Sequence, residues 1–149
     1  MERRWTDTPA SVSPDNLHTG KVGILIADDF EPWRVEVREL LAKRSDWLIL
    51  GEACDGREAI QKSAELKPGV VVLDIGMPRL SGLAAAEAIR EVSPGSRIVF
   101  LTQLADKAFV DAALAAGAEG YVVKTNAARE LISTIANALR GAVAEEVED

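Results

Sequence analysis

The fold of this chain is decided by the stretch Val70-Val71-Val72-Leu73-Asp74-Ile75-Gly76-Met77-Pro78. Its first residues are apolar with no polar residue alternating among them, which predicts a strand buried on both faces. Gly76 and Pro78 then break the strand into a loop. A carboxylate at the carboxyl end of a buried parallel strand lies where open α/β sheets place their ligand crevice. Asp74 is therefore either a functional carboxylate or a residue that only ends the strand, and the rest of the chain decides between the two.

The composition of the 149-residue chain fits one globular domain with an apolar share of 48%. The net charge of −7 argues against a general nucleic-acid or anionic-membrane surface, but it permits a cation site. Cys54 is the single cysteine, which excludes an internal disulfide and favours a reducing compartment. Residues 1–20 contain no apolar signal segment, and no run reaches membrane-spanning length. We therefore expect a cytoplasmic protein that does not enter a membrane.

Strand and helix patterns alternate along residues 21–141. The sequence predicts strands at 22–27, 47–53, 70–73, 97–102 and 120–123, with helices at about 32–43, 59–66, 83–92, 106–116 and 131–141. This alternation predicts an α/β fold, a doubly wound five-stranded parallel sheet with strand order 2-1-3-4-5. Residues 1–20 are predicted to be a flexible leader and residues 142–149 an acidic tail, which leaves 21–141 as one domain.

Polar residues collect at the predicted carboxyl ends of four strands. Asp28 and Asp29 follow the first strand, and Asp74 follows the third. Thr102 ends the fourth strand, and Lys124 follows the fifth. These strands are neighbours in the predicted order, and the carboxyl ends of parallel strands share one edge of a sheet, so the residues can converge. Each alone could be a helix-terminal charge, a strand former or a solvated lysine, but their joint placement favours a functional site.

The chemistry of such a group is specific. Three carboxylates that converge repel one another and favour a bound cation. Oxygen ligands select a hard ion such as Mg²⁺, and no Cys or His is placed to help bind zinc. Asp74 can also act as a nucleophile that forms an aspartyl phosphate. Mg²⁺ and the Lys124 ammonium would then neutralise the phosphoryl oxygens, while the Thr102 hydroxyl donates a hydrogen bond.

Four motifs lie at the ends of the predicted strands: Ala27-Asp28-Asp29, Gly51-Glu52-Ala53-Cys54-Asp55-Gly56, Leu73-Asp74-Ile75-Gly76-Met77-Pro78 and Ala115-Ala116-Gly117-Ala118-Glu119-Gly120-Tyr121-Val122-Val123-Lys124. Together they resemble the receiver domain of bacterial two-component response regulators, and within it the NarL/FixJ subfamily. The resemblance covers about residues 21–141. It implies a flavodoxin-like (βα)5 fold and a switch that accepts a phosphoryl group from a sensor histidine kinase.

The resemblance also implies a role for each matching residue. Asp74 matches the phosphoacceptor, and Lys124 matches the phosphate-binding lysine. Thr102 matches the hydroxyl that moves toward the phosphoryl group, and Tyr121 matches the aromatic residue whose rotamer follows that hydroxyl. The matching Mg²⁺ ligands are the carboxylates of Asp29 and Asp74, the carboxylate of Asp28 acting through water, and the backbone carbonyl of Gly76.

The chain departs from the subfamily pattern around this site. Phe30-Glu31 replaces the His-Pro that often follows the acid pair, and Pro32 comes one place later. Gly76 and Leu104 provide no polar side chain at two positions that tune dephosphorylation in the family. We therefore expect slow self-dephosphorylation.

The resemblance implies a signalling switch and not an enzyme. Its output would be a change in the face formed by the fourth helix, fifth strand and fifth helix, which controls a downstream partner or a homodimer. Alternatively, the chain is the receiver part of a DNA-binding transcription regulator whose helix-turn-helix effector domain is absent here. This chain has no basic recognition helix and is not expected to bind DNA alone.

Two other functions are disfavoured. A phosphatase with an aspartate nucleophile usually has a second acid where Gly76 stands. A flavin module would have its flavin phosphate repelled by the acid cluster. Cys54, Trp33 and Trp47 are predicted to be packing residues.

Overall fold

The computed structural model describes residues 20–103 and 106–148, with side chains described to residue 140. Its strands are β1 (Val22–Ala27), β2 (Trp47–Ala53), β3 (Val70–Leu73), β4 (Arg97–Thr102) and β5 (Gly120–Val123). Its α-helices are α1 (Glu31–Leu41), α2 (Gly56–Leu66), α3 (Gly82–Val92), α4 (Lys107–Ala115) and α5 (Ala127–Glu148), and a 3₁₀ turn at Lys124–Asn126 precedes α5. The strands form one parallel sheet in the order β2-β1-β3-β4-β5, which confirms the predicted flavodoxin-like topology.

Alternate residues of each strand pack on opposite faces of the sheet and form two hydrophobic cores. The core between the sheet and helices α1 and α5, called here the α1/α5 core, includes Ile24, Ile26, Val37, Leu41, Val70, Val72, Leu131 and Ile135. The core on the other face, called the α2–α4 core, includes Leu25, Ala59, Val71, Leu73, Ile89, Phe100 and Ala113. Both faces of the central strands are covered, which explains why the 70–73 run contains no polar residue.

Local sequence signals explain where the helices begin and end. Asp55, Ser81 and Asp106 each accept a hydrogen bond from a first-turn backbone N–H of α2, α3 and α4. Pro32 occupies the first turn of α1, where its missing N–H costs nothing. Gly117 follows α4 with a φ of +94°, the left-handed conformation that commonly ends a helix.

The structure corrects two expectations. Helix α5 continues through Gly141 to Glu148, because an interior glycine weakens a helix by only about 1 kcal/mol and the following residues are mostly Ala and Glu. The domain limits themselves stay a prediction. Cys54 was expected to pack, but it is exposed, since β2 ends one residue earlier.

Leu104 and residues 1–19 of the predicted 1–20 leader lie outside the described residues. In the part of the chain that the structure describes, no helix combines the length and apolar character needed to cross a membrane.

Candidate functional site

The register of the sheet brings Asp28 and Asp74 together at its carboxyl edge. Ala27 of β1 is the register partner of Leu73 of β3, so the next residue of each strand leaves the sheet at the same level. The Asp74 N–H donates to the Ala27 carbonyl over 3.0 Å, which extends the pairing to the loop. The two carboxylates are therefore placed by the strands and not by flexible loops.

Strands β4 and β5 add the remaining residues. Thr102, the last residue of β4, is the register partner of Val123, the last residue of β5. Lys124 follows directly, and both Thr102 and Lys124 are buried. The predicted convergence of the four strand ends is thus present.

The three aspartates form one acid cluster. Ligand oxygens of Asp28, Asp29 and Asp74 all lie within 4.8 Å of one another. Asp28 and Asp74 are buried, whereas Asp29 is exposed. Because three carboxylates at this separation repel one another and present only oxygen atoms, the donor set fits a hard divalent cation such as Mg²⁺.

Lys124 partly neutralises this cluster. Its Nζ lies 2.7 Å from Asp28 Oδ2 and 3.7 Å from Asp74 Oδ2. The ammonium also lies 5.1 Å from the centroid of the Trp33 ring, within the range of a cation–π interaction. Trp33 packs against the α1/α5 core as predicted. Its contact with the lysine was missed, because it depends on α1 lying beside the 3₁₀ turn that follows β5.

The environment of Asp74 raises the pKa of its carboxyl group. Burial is the main cause, and the charge of Asp28 adds to it. Lys124, the N–H of Gly76 and the Thr102 hydroxyl oppose the rise by stabilising the carboxylate. The Gly76 N–H donates to Asp74 Oδ1 over 3.3 Å. A further positive charge beside Asp74 is therefore favoured.

The site opens to solvent through a pocket of about 330 Å³. The residues that line it are Asp29, Phe30, Trp33, Asp74, Gly76, Thr102, Gln103 and Lys124. Phe30 is 55% exposed. A Cβ atom added to Gly76 would meet nothing within 4 Å, so this position leaves space beside the Asp74 carboxylate.

Gly82 supports the site in a way that the sequence analysis missed. A Cβ atom on Gly82 would lie 2.1 Å from the Asp74 carbonyl oxygen, and the Gly82 N–H donates to the Ile75 carbonyl over 2.8 Å. Helix α3 therefore starts in direct contact with the backbone of the phosphoacceptor candidate. In the sequence, a glycine directly after Ser81 could have indicated this close approach. It was instead taken only as part of the start of a helix.

Tyr121 lies away from the acid cluster on the α2–α4 side of β5. It is half-buried there, and burial together with the charge of Asp106 raises the pKa of its phenol. Asp106 is also the residue that caps α4, so the charge that acts on Tyr121 stands at the start of that helix.

Known proteins share this fold and are similar to the chain in sequence. The profile of the response regulator receiver domain matches residues 24–136. The chain is 35% identical over 125 residues to the transcriptional regulatory protein YxjL of Bacillus subtilis strain 168, covering 84% of this chain and 57% of YxjL.

Solved structures of response regulators are similar to this chain in both fold and sequence. A LuxR-family two-component response regulator from Aurantimonas sp. SI85-9A1 matches with 33% identity and a TM-score of 0.78, over 81% of this chain and 86% of that one. The isolated receiver domain of RcsB from Salmonella enterica serovar Typhimurium, in the presence of the phosphomimetic BeF3−, matches with 26% identity and a TM-score of 0.75, over 81% of this chain and 90% of that one.

The chain spans 57% of the length of curated relatives such as YxjL and the VraR response regulator of Staphylococcus aureus. These relatives are NarL/LuxR-family response regulators, and the shared part is the receiver. Receiver domains are signalling modules and not conventional enzymes. This chain belongs to the response regulator receiver domain family.

Proposed function

We propose that the chain is a phosphorylation-dependent switch of the cytoplasm, in which a sensor histidine kinase transfers a phosphoryl group to Asp74. The observation that carries the proposal is the buried Asp74 carboxylate, which lies among Asp28, Asp29 and the Lys124 ammonium at the carboxyl edge of the sheet. The phosphomimetic BeF3− present with the similar RcsB receiver supports a phosphorylated state for this site too.

The acid cluster is proposed to hold Mg²⁺. The ligands would be the carboxylates of Asp29 and Asp74 and the backbone carbonyl of Gly76, with Asp28 acting through water. Bound Mg²⁺ supplies positive charge that stabilises the oxygens of the transferred phosphoryl group. The raised pKa of Asp74 and the crowding of three carboxylates both favour a cation in this position.

The transfer step follows from the position of Asp74. A carboxylate oxygen of Asp74 attacks the phosphorus of the kinase phosphohistidine, the new O–P bond forms, and the P–N bond breaks with its electron pair returning to the imidazole. The Lys124 ammonium pairs with Asp28 and lies close to Asp74. It can therefore turn from Asp28 toward an oxygen of a phosphoryl group on Asp74. The Thr102 hydroxyl, which stabilises the Asp74 carboxylate and so opposes the rise of its pKa, would turn to the same group.

The output is proposed to leave through Tyr121 and the face formed by α4, β5 and α5. A shift of Thr102 toward the phosphoryl group leaves space beside β5 into which the Tyr121 ring can turn. The changed face would then bind a downstream protein or a second copy of the receiver. One local charge thereby shifts a two-state equilibrium.

The intact protein is proposed, as a second possibility, to be a DNA-binding transcription regulator. The observation in favour is that the curated relatives are longer than this chain, and YxjL is called a transcriptional regulatory protein. DNA contact would then come from a region outside this chain. The length of the complete reading frame and a DNA-binding assay on its product test this.

Intact-mass measurement after incubation with acetyl phosphate and Mg²⁺ tests the switch chemistry. We expect one phosphoryl adduct that requires Mg²⁺ and is lost in Asp74→Asn. Asp111→Asn, an exposed aspartate on α4, is the matched control and should still form the adduct. An adduct that persists in Asp74→Asn, or none in folded wild-type protein that binds Mg²⁺, contradicts the proposal.

Slow self-dephosphorylation is proposed to result from the absence of a polar side chain at Gly76. Water attacking the acyl phosphate then lacks a group that orients it. The open space at this position admits a side chain without displacing neighbours. We expect Gly76→Asn to lose its phosphoryl group several-fold faster than Gly76→Ala, measured as adduct decay, and equal decay in both variants would exclude this explanation.

A further inference from the structure

Strand β2 supplies no member of the acid cluster, yet one side chain connects it to the site. Arg34, in the first part of α1, donates from Nη1 to the backbone carbonyl of Asp28 over 2.6 Å. From Nε it also donates to Glu52 Oε1 of β2 over 3.0 Å. A single guanidinium therefore joins α1, β2 and the acid pair.

The Asp28 backbone is held on both sides. Its N–H donates to the Ala53 carbonyl of β2 over 3.0 Å, and its carbonyl accepts from Arg34. Its carboxylate Oδ1 accepts from the Phe30 N–H over 2.9 Å. The peptide planes before and after Asp28 are both fixed. The second plane sets the direction in which the backbone continues to Asp29.

Glu52 is itself held in place. Its other carboxylate oxygen accepts a hydrogen bond from Arg38, one turn further along α1, and its backbone carbonyl accepts from Lys62 Nζ over 2.5 Å. The side chains of Arg34 and Glu52 are only 16% and 26% exposed. A partly buried, charge-assisted contact of this kind holds its geometry better than an exposed ion pair.

We propose that Arg34 is a positioning residue for the cation and phosphoryl site, oriented by Glu52 and acting through the Asp28 backbone. This inference rests on the proposed function, because it concerns the same site. The charge of Arg34 and its positioning contact have opposite effects on cation binding. Removing a positive charge beside three carboxylates tightens cation binding, whereas releasing the Asp28-Asp29 backbone weakens it.

The affinity of the full chain for Mn²⁺ shows which of these two effects is larger. Free Mn²⁺ is measured from its electron paramagnetic resonance signal, and bound Mn²⁺ is the remainder. We expect Arg34→Ala to weaken Mn²⁺ binding about tenfold, the effect typical of losing a group that orients a ligand. Arg34→Lys retains the charge but cannot bridge Glu52 and Asp28 with one planar fork, so its binding should also be weaker. Arg38→Ala is the comparison variant: it removes the same unit charge and one of the two arginines that contact Glu52, but it leaves the Arg34 donor to Asp28 in place. Its Mn²⁺ binding should weaken by no more than about twofold, much less than that of Arg34→Ala.

Glu52 provides an independent arm. Glu52→Gln should weaken Mn²⁺ binding in the wild-type background and have no further effect in Arg34→Ala, because Glu52 acts through Arg34. Urea unfolding of each variant ensures that binding is compared among folded proteins. If Arg34→Ala does not fold, Arg34→Lys replaces it in both the single and the double variant.

Equal or tighter binding by folded Arg34→Ala, or an undiminished Glu52→Gln effect in the double variant, overturns the inference and leaves the proposed function standing. A wild-type chain that binds no Mn²⁺ and forms no phosphoryl adduct overturns both.

Discussion

Helices α3 and α4 pack against the same face of the sheet, but they differ in how much of themselves they bury. Helix α3 buries Gly82, Ala85, Ala86 and Ile89. Helix α4 buries Ala113 alone, and its Phe109 and Leu114 are 37% and 54% exposed. Both helices have a side-chain N-cap, so the difference lies in packing and not in local helix signals.

The contacts that the two helices make differ in the same way as their burial. Helix α3 starts against the Asp74 backbone, where a movement of the helix would displace this residue of the acid cluster. Helix α4 is held near its end by Arg90 of α3, which donates to the carbonyls of Ala116 and Gly117. Elements with little buried apolar surface open or shift at low free-energy cost. The packing thus favours a rigid α3 beside Asp74 and an α4 that shifts at a lower free-energy cost, although Arg90 holds its end.

Truncation of one apolar side chain on each helix should give the largest contrast. Ile89→Ala removes a fully buried side chain and is expected to lower the free energy of unfolding by about 3 kcal/mol. Leu114→Ala removes a side chain that is mostly in water, and its expected cost is below about 0.5 kcal/mol. Urea denaturation measures both. Similar losses in the two variants would mean that α4 is packed as firmly as α3.

Close contact of α3 with the Asp74 loop gives the next largest effect. Gly82→Ala places a methyl group against the Asp74 carbonyl, and we expect a loss of roughly 2 kcal/mol in unfolding free energy together with weaker Mn²⁺ binding. Gly95→Ala is the control, because a Cβ atom there meets nothing within 4 Å; it should be neutral or slightly stabilising. Tolerance of Gly82→Ala with unchanged binding would show that α3 moves easily away from the loop.

The contrast between α3 and α4 also shows which features of the fold and the site could be predicted from the sequence. Apolar strand runs, Gly and Pro breaks and capping residues predicted the sheet order and the convergence of Asp28, Asp74 and Lys124, because these signals are local and a parallel sheet aligns strand ends. The Arg34–Glu52 contact and the close approach of Gly82 depend on which helix face meets which strand. A one-dimensional pattern does not contain that information. Helix α4 is as apolar as a buried helix, and its exposure could not be predicted from composition.

Neutralising Asp74 should stabilise the cation-free protein by about 1 kcal/mol near neutral pH. Since folding raises the pKa of this carboxyl group, the folded state binds the proton more tightly than the unfolded state. Stability from this group is present below its ordinary pKa and is lost as the pH rises through the raised folded value. Asp74→Asn removes that loss.

Urea denaturation in the presence of a chelator, from acidic to neutral pH, should show the advantage of Asp74→Asn growing with pH. Saturating Mg²⁺ should reduce or reverse it, because the wild-type site binds the ion more tightly. Asp111→Asn on α4 is the control and should change little at any pH, as its carboxylate is exposed. An advantage that does not depend on pH would assign the effect to packing.

The smallest expected effect concerns α4 and the pKa of Tyr121, the single tyrosine of the chain. Burial is the first cause of its raised pKa and the charge of Asp106 the second. Asp106→Asn keeps an oxygen that can cap α4 but removes the charge, so the pKa of the phenol should fall only part of the way toward its ordinary value. Ultraviolet titration of the phenolate measures this without interference from a second tyrosine. Asp111→Asn, on the same helix, should leave the pKa unchanged. If Asp106→Asn also leaves the pKa unchanged, the charge at the start of α4 does not act on Tyr121. Any link between β5 and α4 would then have to run through packing alone.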